Sequence, residues 1–275
     1  MSARRQSLAP LAAGALPLIF LAFLFLYPVL RLLLLSVEDG NLGTFEKAAT
    51  DALYVGVLLE TVKLSLVVAA ICLVLAYPVA YFLATASRFW VAIGFACLLL
   101  PFWTSILVRT YAWTIVLGRN GLVNRALLEL DLIAEPLPLL YNEAGVAVGM
   151  VHVLLPYMVF PLYAVMLRID RDLALAASGL GASPWRVFTR IYFPLTLPGA
   201  FAGSVLVFVI ALGFFITPAI LGGGRVVTIG LLIEQQVRQF LDWPFAAALS
   251  VLLLAAALLI QGTFQRVLRG ETRWH

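Results

Sequence analysis

Six stretches of the chain are nearly free of charge and run for about twenty residues each: roughly 11–35, 64–86, 91–108, 144–167, 199–221 and 244–261. Twenty residues wound at about 1.5 Å per residue match the roughly 30 Å of hydrocarbon in a bilayer. None of the six shows the strict alternation of a membrane barrel strand. In hydrocarbon, only a helix satisfies its own backbone N–H and C=O groups. The pattern predicts an all-α polytopic membrane protein with about six transmembrane helices, built as one domain over residues 1–275.

The connections sharpen this picture. Ser87, Arg88, Phe89 and Trp90 are all that separates the second and third stretches, which predicts a tight helical hairpin. The first stretch follows Arg4 and Arg5, as a secretory signal would. It is too long for a signal core, and no small-residue cleavage site follows it before Val37, so a retained helix is expected. Pro78, Pro101, Pro156, Pro161 and Pro218 fall inside the spans, where a missing N–H favours kinks.

Composition agrees. The 275 residues are 63% hydrophobic and 12% charged, with mean hydropathy +1.05, too apolar for a soluble domain. Cys72 and Cys97 both lie within apolar runs and read as small core side chains. The net charge of +4 is not a nucleic-acid signal, because in a membrane protein the placement of Lys and Arg matters more than their sum. With the N-terminus inside, ten of the 18 Lys and Arg fall on the cytoplasmic side, among them Arg4, Arg5, Arg88, Arg186, Arg190 and Arg273. Both termini are therefore expected in the cytoplasm, and the segment around Asn41 outside.

The longest cytoplasmic connection, residues 168–198, is punctuated rather than loose. Asp172 is placed to N-cap a helix over 173–180, and Gly181 stands where a left-handed residue would end it. Ser183 and Pro184 open a second helix that puts Trp185, Phe188, Ile191 and Tyr192 on one face, with Pro194 and Pro198 expected to stop it. Such a helix–glycine–helix knob suits either docking into a partner's groove or lying flat on lipid.

Within this loop Leu175-Ala176-Ala177, Gly181 with Ala182, and Ile191-Tyr192-Phe193-Pro194 keep the spacing of the EAA loop of bacterial ABC-importer permeases. Leu175 stands where that pattern has Glu, and Phe193 where it has Leu. Leu100-Pro101-Phe102-Trp103-Thr104 and Val108-Arg109-Thr110-Tyr111-Ala112-Trp113 are similar to spermidine/putrescine-type permeases. So are Leu154-Leu155-Pro156-Tyr157-Met158, Pro194-Leu195-Thr196-Leu197-Pro198-Gly199 and Asp242-Trp243-Pro244-Phe245-Ala246. The resemblance implies a permease subunit in a bacterial inner membrane that imports a small, polyamine-like solute by alternating access. The partners it implies are a second, related permease chain, two ATPase subunits that dock on the loop, and a periplasmic solute-binding protein, all within membrane lipid.

No Gly-x-x-x-x-Gly-Lys-Ser/Thr sequence occurs, and Gly222-Gly223-Gly224 lacks the Lys. ATP and Mg are thus expected on partner subunits, with no cofactor, metal or catalytic set in this chain. Trp103, Arg109, Tyr111, Trp113 and Glu234 are candidates for the solute path, with interfacial anchoring as the plainer role of the Arg109 segment. Glu60, Glu143, Glu234 and Asp242 lie near the outer ends of spans, where acids draw cations or simply meet solvent. Arg31 and Lys63 can snorkel. A secondary transporter or channel is the alternative; it would need no ATPase and would be expected to carry buried mid-membrane charges.

Overall fold

The computed structural model describes residues 9–36 and 43–271. Arg4, Arg5, Val37, Asn41, Arg273 and His275 lie outside the described residues. Thirteen α-helices follow in order among them: α1 (Ala9–Leu35), α2 (Gly43–Thr50), α3 (Ala52–Thr85), α4 (Arg88–Leu99), α5 (Ile106–Leu117), α6 (Leu122–Glu129), α7 (Glu143–Met166), α8 (Arg171–Gly179), α9 (Pro184–Val187), α10 (Phe193–Leu212), α11 (Ile216–Leu221), α12 (Ile229–Gln235) and α13 (Trp243–Glu271). A 3₁₀ turn at Leu100–Trp103 follows α4, and π turns at Phe188–Tyr192 and Gln236–Phe240 follow α9 and α12.

Four helical stretches are long and apolar enough to cross a membrane: α3, α7, Pro184–Leu212 and Trp243–Gly262. A fifth is a pair, Arg88–Trp103 with Ile106–Glu129, bent by 99°. Counting that bent pair as one span and adding the 27-residue α1, whose apolar part is Ile19–Leu35, gives the six that the apolar runs predict.

α7 is the axis of the bundle, with α3 and α10 packed along it. Val68, Cys72 and Ala76 of α3 meet Met150, Leu154 and Met158 of α7 and Val207 and Ala211 of α10 in one buried core. Two glycines set the α10–α7 approach. A Cβ on Gly199 would stand 2.9 Å from the Pro161 carbonyl oxygen, and one on Gly203 2.7 Å from Met158 Sδ. This Gly-x-x-x-Gly face lets two backbones close together where helix association depends on packing.

Helix starts are capped by the residues expected of them. Asp51 accepts from Leu53 N–H at 2.9 Å, Asn142 from Gly145 N–H at 2.8 Å and Asp242 from Phe245 N–H at 3.0 Å. The Ser87 hairpin is as tight as its length predicts, since α3 ends at Thr85 and α4 begins at Arg88.

Two spans differ from expectation. The third does not run on to residue 108: Pro101 removes a donor, Thr104 and Ser105 turn extended (ψ 149 and 136), and Thr104 Oγ1 donates to Pro101 O at 2.6 Å. The chain breaks there and leaves at an angle. The fifth span neither starts at 199 nor ends at 221. α10 begins at Phe193 and stops before Gly213, and α11 is a separate short helix. Pro194 and Pro198 do not stop the helix that starts at Pro184. Phe193 N–H bonds Phe188 O, a five-residue step, and this wider turn makes room for the Pro194 ring in the first turn of α10.

Candidate functional site

The loop between α7 and α10 is built of two short helices with different attachments. α8 starts at Asp170, whose carboxylate accepts from Asp172 N–H at 2.9 Å. Asp172, expected as the cap, is the second helical residue, where a carboxylate complements the helix dipole. Leu175 consequently does not occupy the third position, and no capping box is available to it. The other end is as expected and complete. Gly181 has φ +85, Gly181 N–H bonds Ser178 O and Ala182 N–H bonds Ala177 O, each at 3.0 Å. This is the paired bonding of a Schellman C-cap.

α8 projects. Leu175 is 69% exposed, Leu180 89% and Trp185 74%, while Ala176 is exposed and Ala177 half-buried. α9 opens at Ser183 and Pro184, with Val187 N–H bonded to Ser183 O at 2.9 Å. From there the aromatic face predicted by spacing is fastened down. Trp185 stacks on Phe188, and Phe188 on Tyr192, both at 6.1 Å between centroids. Phe188 and Tyr192 meet Tyr81 of α3 edge-on at 6.4 and 5.3 Å. Tyr77 and Thr196 hydroxyls, 3.1 Å apart, join α3 to the start of α10. Behind α8 lies a cavity of about 430 Å³ bounded by Tyr81, Asp170, Leu173, Leu175, Ile191 and Tyr192. The knob is thus exposed on one side and tied through aromatic rings to two core helices on the other.

The path candidates separate into groups. Trp103, 87% exposed, and Tyr111, 58% exposed, flank the bend between α4 and α5. Trp113 turns inward, and its Nε1 donates to His152 Nδ1 of α7 at 2.9 Å. Arg109 reaches a pocket of about 110 Å³ that His152 also lines. Glu234 stands apart on α12, paired with Arg238 at 3.3 Å, beside a separate cavity of about 360 Å³.

The sequence reading did not join Lys63 to Glu60 and Glu143, and it gave His152 no role. Lys63 does not simply snorkel: its Nζ lies 2.7 Å from Glu60 and 3.3 Å from Glu143, joining α3 to α7. It stands at the edge of a cavity of about 700 Å³ between α3 and α7 whose lining includes Trp113, Glu143 and His152. The i,i+3 spacing of Glu60 and Lys63 signals their pair, and a lone histidine in an otherwise apolar span signals His152.

The family of binding-protein-dependent transport system inner membrane components is matched over residues 11–270. This chain belongs to that family. The permease is 40% identical over 203 residues to the spermidine/putrescine transport system permease protein PotB of Escherichia coli (strain K12), covering 74% of each chain. It is 35% identical to the PotB of Haemophilus influenzae over 211 residues, 76% of this chain and 74% of that one. A third relative is the putative 2-aminoethylphosphonate transport system permease protein PhnU of Salmonella paratyphi A, 28% identical over 261 residues, 92% of this chain and 89% of that one. A bacterial alginate ABC transporter, solved in complex with an alginate pentasaccharide-bound periplasmic protein, shares the fold: TM-score 0.72, 19% identity, 96% of each chain. The permease is therefore a membrane transport subunit and not an enzyme. The segments whose pattern resembles spermidine/putrescine-type permeases fall at the bend (residues 100–104), in α5, in the middle of α7, at the α10 entry and at the Asp242 cap of α13.

Proposed function

We propose that the permease is one of two membrane subunits of an ATP-driven importer that takes a polyamine-like solute from a periplasmic binding protein. The observation that carries this reading is the projecting α8 knob, closed by Gly181 at φ +85 and held to α3 by the Phe188–Tyr192 aromatic face. Exposed Leu175 and Leu180 offer apolar surface to an ATPase groove, and the tie to α3 and α10 is a route by which closure of two ATPase subunits reaches the bundle. ATP and Mg then belong to those partners. Both termini and α8 face the cytoplasm in this arrangement. The 40% identity to a spermidine/putrescine permease supports the solute class.

The test is uptake of labelled spermidine and putrescine by vesicles carrying the permease, its companion permease and ATPase, with and without purified binding protein. Accumulation that requires both ATP and binding protein supports the reading. Uptake indifferent to ATP would return the protein to the secondary transporter class, and ATP-dependent uptake of other solutes only would overturn the polyamine assignment.

A further inference from the structure

α4 covers α3 and α7 only at the end nearer the α8 knob. Phe95 stacks on Phe160 at 6.2 Å and meets Tyr163 edge-on at 5.0 Å, and beyond α4 Phe102 reaches Tyr157 at 5.7 Å. There the chain bends by 99°. α5 packs on α11 instead and is tied to α7 through Trp113 and His152. The far half of the groove between α3 and α7 is left open, and this is the cavity of about 700 Å³.

The cavity runs from Leu75 and Leu155 to Lys63 and Glu143. Each wall is twelve residue steps long, about 18 Å of helix rise. One leaflet of a bilayer offers about 15 Å of hydrocarbon. Val67, Ile71 and Leu75 line the groove from α3, and Val148, Val151 and Leu155 from α7. The polar side chains within it, Trp113 and His152, are bonded to each other. A polyamine-like cation therefore meets no acid below Glu143, whereas an acyl chain matches both the lining and the length.

The outer end is charged and wet. Lys63 Nζ donates to Glu60 at 2.7 Å and to Glu143 at 3.4 Å, and all three side chains are more than half exposed. An ammonium has three donors, so one remains, and each carboxylate keeps unused lone pairs. Two acids against one base leave the cluster with net charge −1, which disfavours an anionic headgroup. A choline has no N–H to offer the carboxylates. An ethanolamine headgroup satisfies both signs, with its phosphate on Lys63 and its primary ammonium on Glu60 and Glu143.

We propose that the groove between α3 and α7 is a binding site for an ethanolamine phospholipid of the leaflet opposite the knob. One acyl chain takes the place that α4 holds in the other half of the bundle. The inference rests on the chain spanning a bilayer, and not on the solute or on coupling to an ATPase.

The test is which lipid stays bound, read without any transport. The complex of permease, companion permease and ATPase is reconstituted in vesicles of equal parts phosphatidylethanolamine, phosphatidylglycerol and phosphatidylcholine with matched chains. It is then extracted in mild detergent, and phospholipid surviving size exclusion is quantified by mass spectrometry. Wild type should hold phosphatidylethanolamine about threefold or more above its share. Val148→Trp, which fills the groove from an exposed position, should remove that excess. Glu60→Gln combined with Glu143→Gln should keep a lipid and lose the headgroup preference. In wild type, phosphatidylethanolamine with a photoactivatable acyl chain should mark the groove-lining peptides of α3 and α7. Retention in vesicle proportions, an excess unchanged by Val148→Trp, or a preference surviving the double Gln variant would each overturn the proposal. So would a photoreactive residue at Val67 that crosslinks to the companion permease rather than to lipid. If Val148→Trp fails to assemble, the wild-type marking decides: label confined to other helices overturns the site.

Discussion

Trp113 Nε1 donates to His152 Nδ1 across 2.9 Å, and this bond ties α5 to α7 just beyond the bend that interrupts the third span. It fixes the imidazole tautomer and places both rings at the edge of the large cavity between α3 and α7. Trp113→Phe keeps the apolar bulk and removes the donor, leaving a half-buried nitrogen without its partner. A loss of about 1 kcal/mol is expected, seen as a lower thermal midpoint in detergent, with reduced uptake. His152→Gln, which retains an acceptor, should be milder. Equal midpoints for wild type and Trp113→Phe would show that the bond holds nothing together.

Gly199 and Gly203 both face α7, yet their surroundings give them different tolerances. A methyl on Gly199 meets the Pro161 carbonyl at 2.9 Å and Val165 at 3.0 Å, and backbone yields little. A methyl on Gly203 first meets Sδ of the flexible Met158 side chain at 2.7 Å, and the Met158 carbonyl oxygen only at 3.1 Å. Gly199→Ala should therefore cost about 1–3 kcal/mol by overpacking and Gly203→Ala less. Thermal unfolding followed by monodispersity on size exclusion distinguishes them, and the reverse order would mean that α10 and α7 are spaced by other residues.

The knob's start is capped by Asp170 rather than Asp172. Asp170→Ala should weaken α8 by about 1 kcal/mol, and Asp172→Ala by a few tenths through the helix dipole alone. Leu175→Glu, on an exposed position, should keep near-normal transport. ATP hydrolysis by the assembled complex, compared with solute uptake in the same vesicles, ranks the three. Stronger uncoupling by Leu175→Glu than by Asp170→Ala would make the leucine a direct contact and the cap incidental.

The apolar runs dictated helix number and rough position because burial in hydrocarbon outweighs any local preference. They left the ends open. Asp170 and Asp172 have the same capping chemistry two residues apart, so which of them caps depends on the turn leaving α7. The Pro194 π turn and the break at Thr104–Ser105 depend on how the backbone absorbs a missing donor, which composition does not record. Gly181 was legible because a left-handed C-cap requires a specific residue at a specific place. The Arg109–His152–Trp113 grouping joins α5 to α7 across 39 residues between the bonded pair, and no periodicity links such positions.

Topology can be checked with single cysteines. Cys97 is exposed and is first replaced by Ser. Ser183→Cys, at the head of α9, should then be labelled only from the cytoplasmic side by an impermeant maleimide. Glu135→Cys, exposed in the connection before α7, should be labelled only from outside. Labelling of both from one side would sink the proposed orientation.

Gly181 separates coupling from folding most cleanly. Its φ of +85 is unfavourable for any residue with a Cβ, but a Cβ there would meet nothing within 4 Å. The penalty is conformational, about 1–2 kcal/mol for an ordinary residue, and falls on the link between α8 and α9 rather than on the core. Gly181→Val should insert in the membrane with a thermal midpoint close to wild type, because the buried contacts of α3, α7 and α10 are untouched. It should nonetheless abolish solute-stimulated ATP hydrolysis, since relaxing the turn re-aims α8. Gly181→Asn, which tolerates the left-handed conformation, should retain most of the stimulation. The two variants are compared as reconstituted complexes with binding protein present. Normal stimulation in Gly181→Val, with the protein fully assembled, would remove this turn from the coupling route.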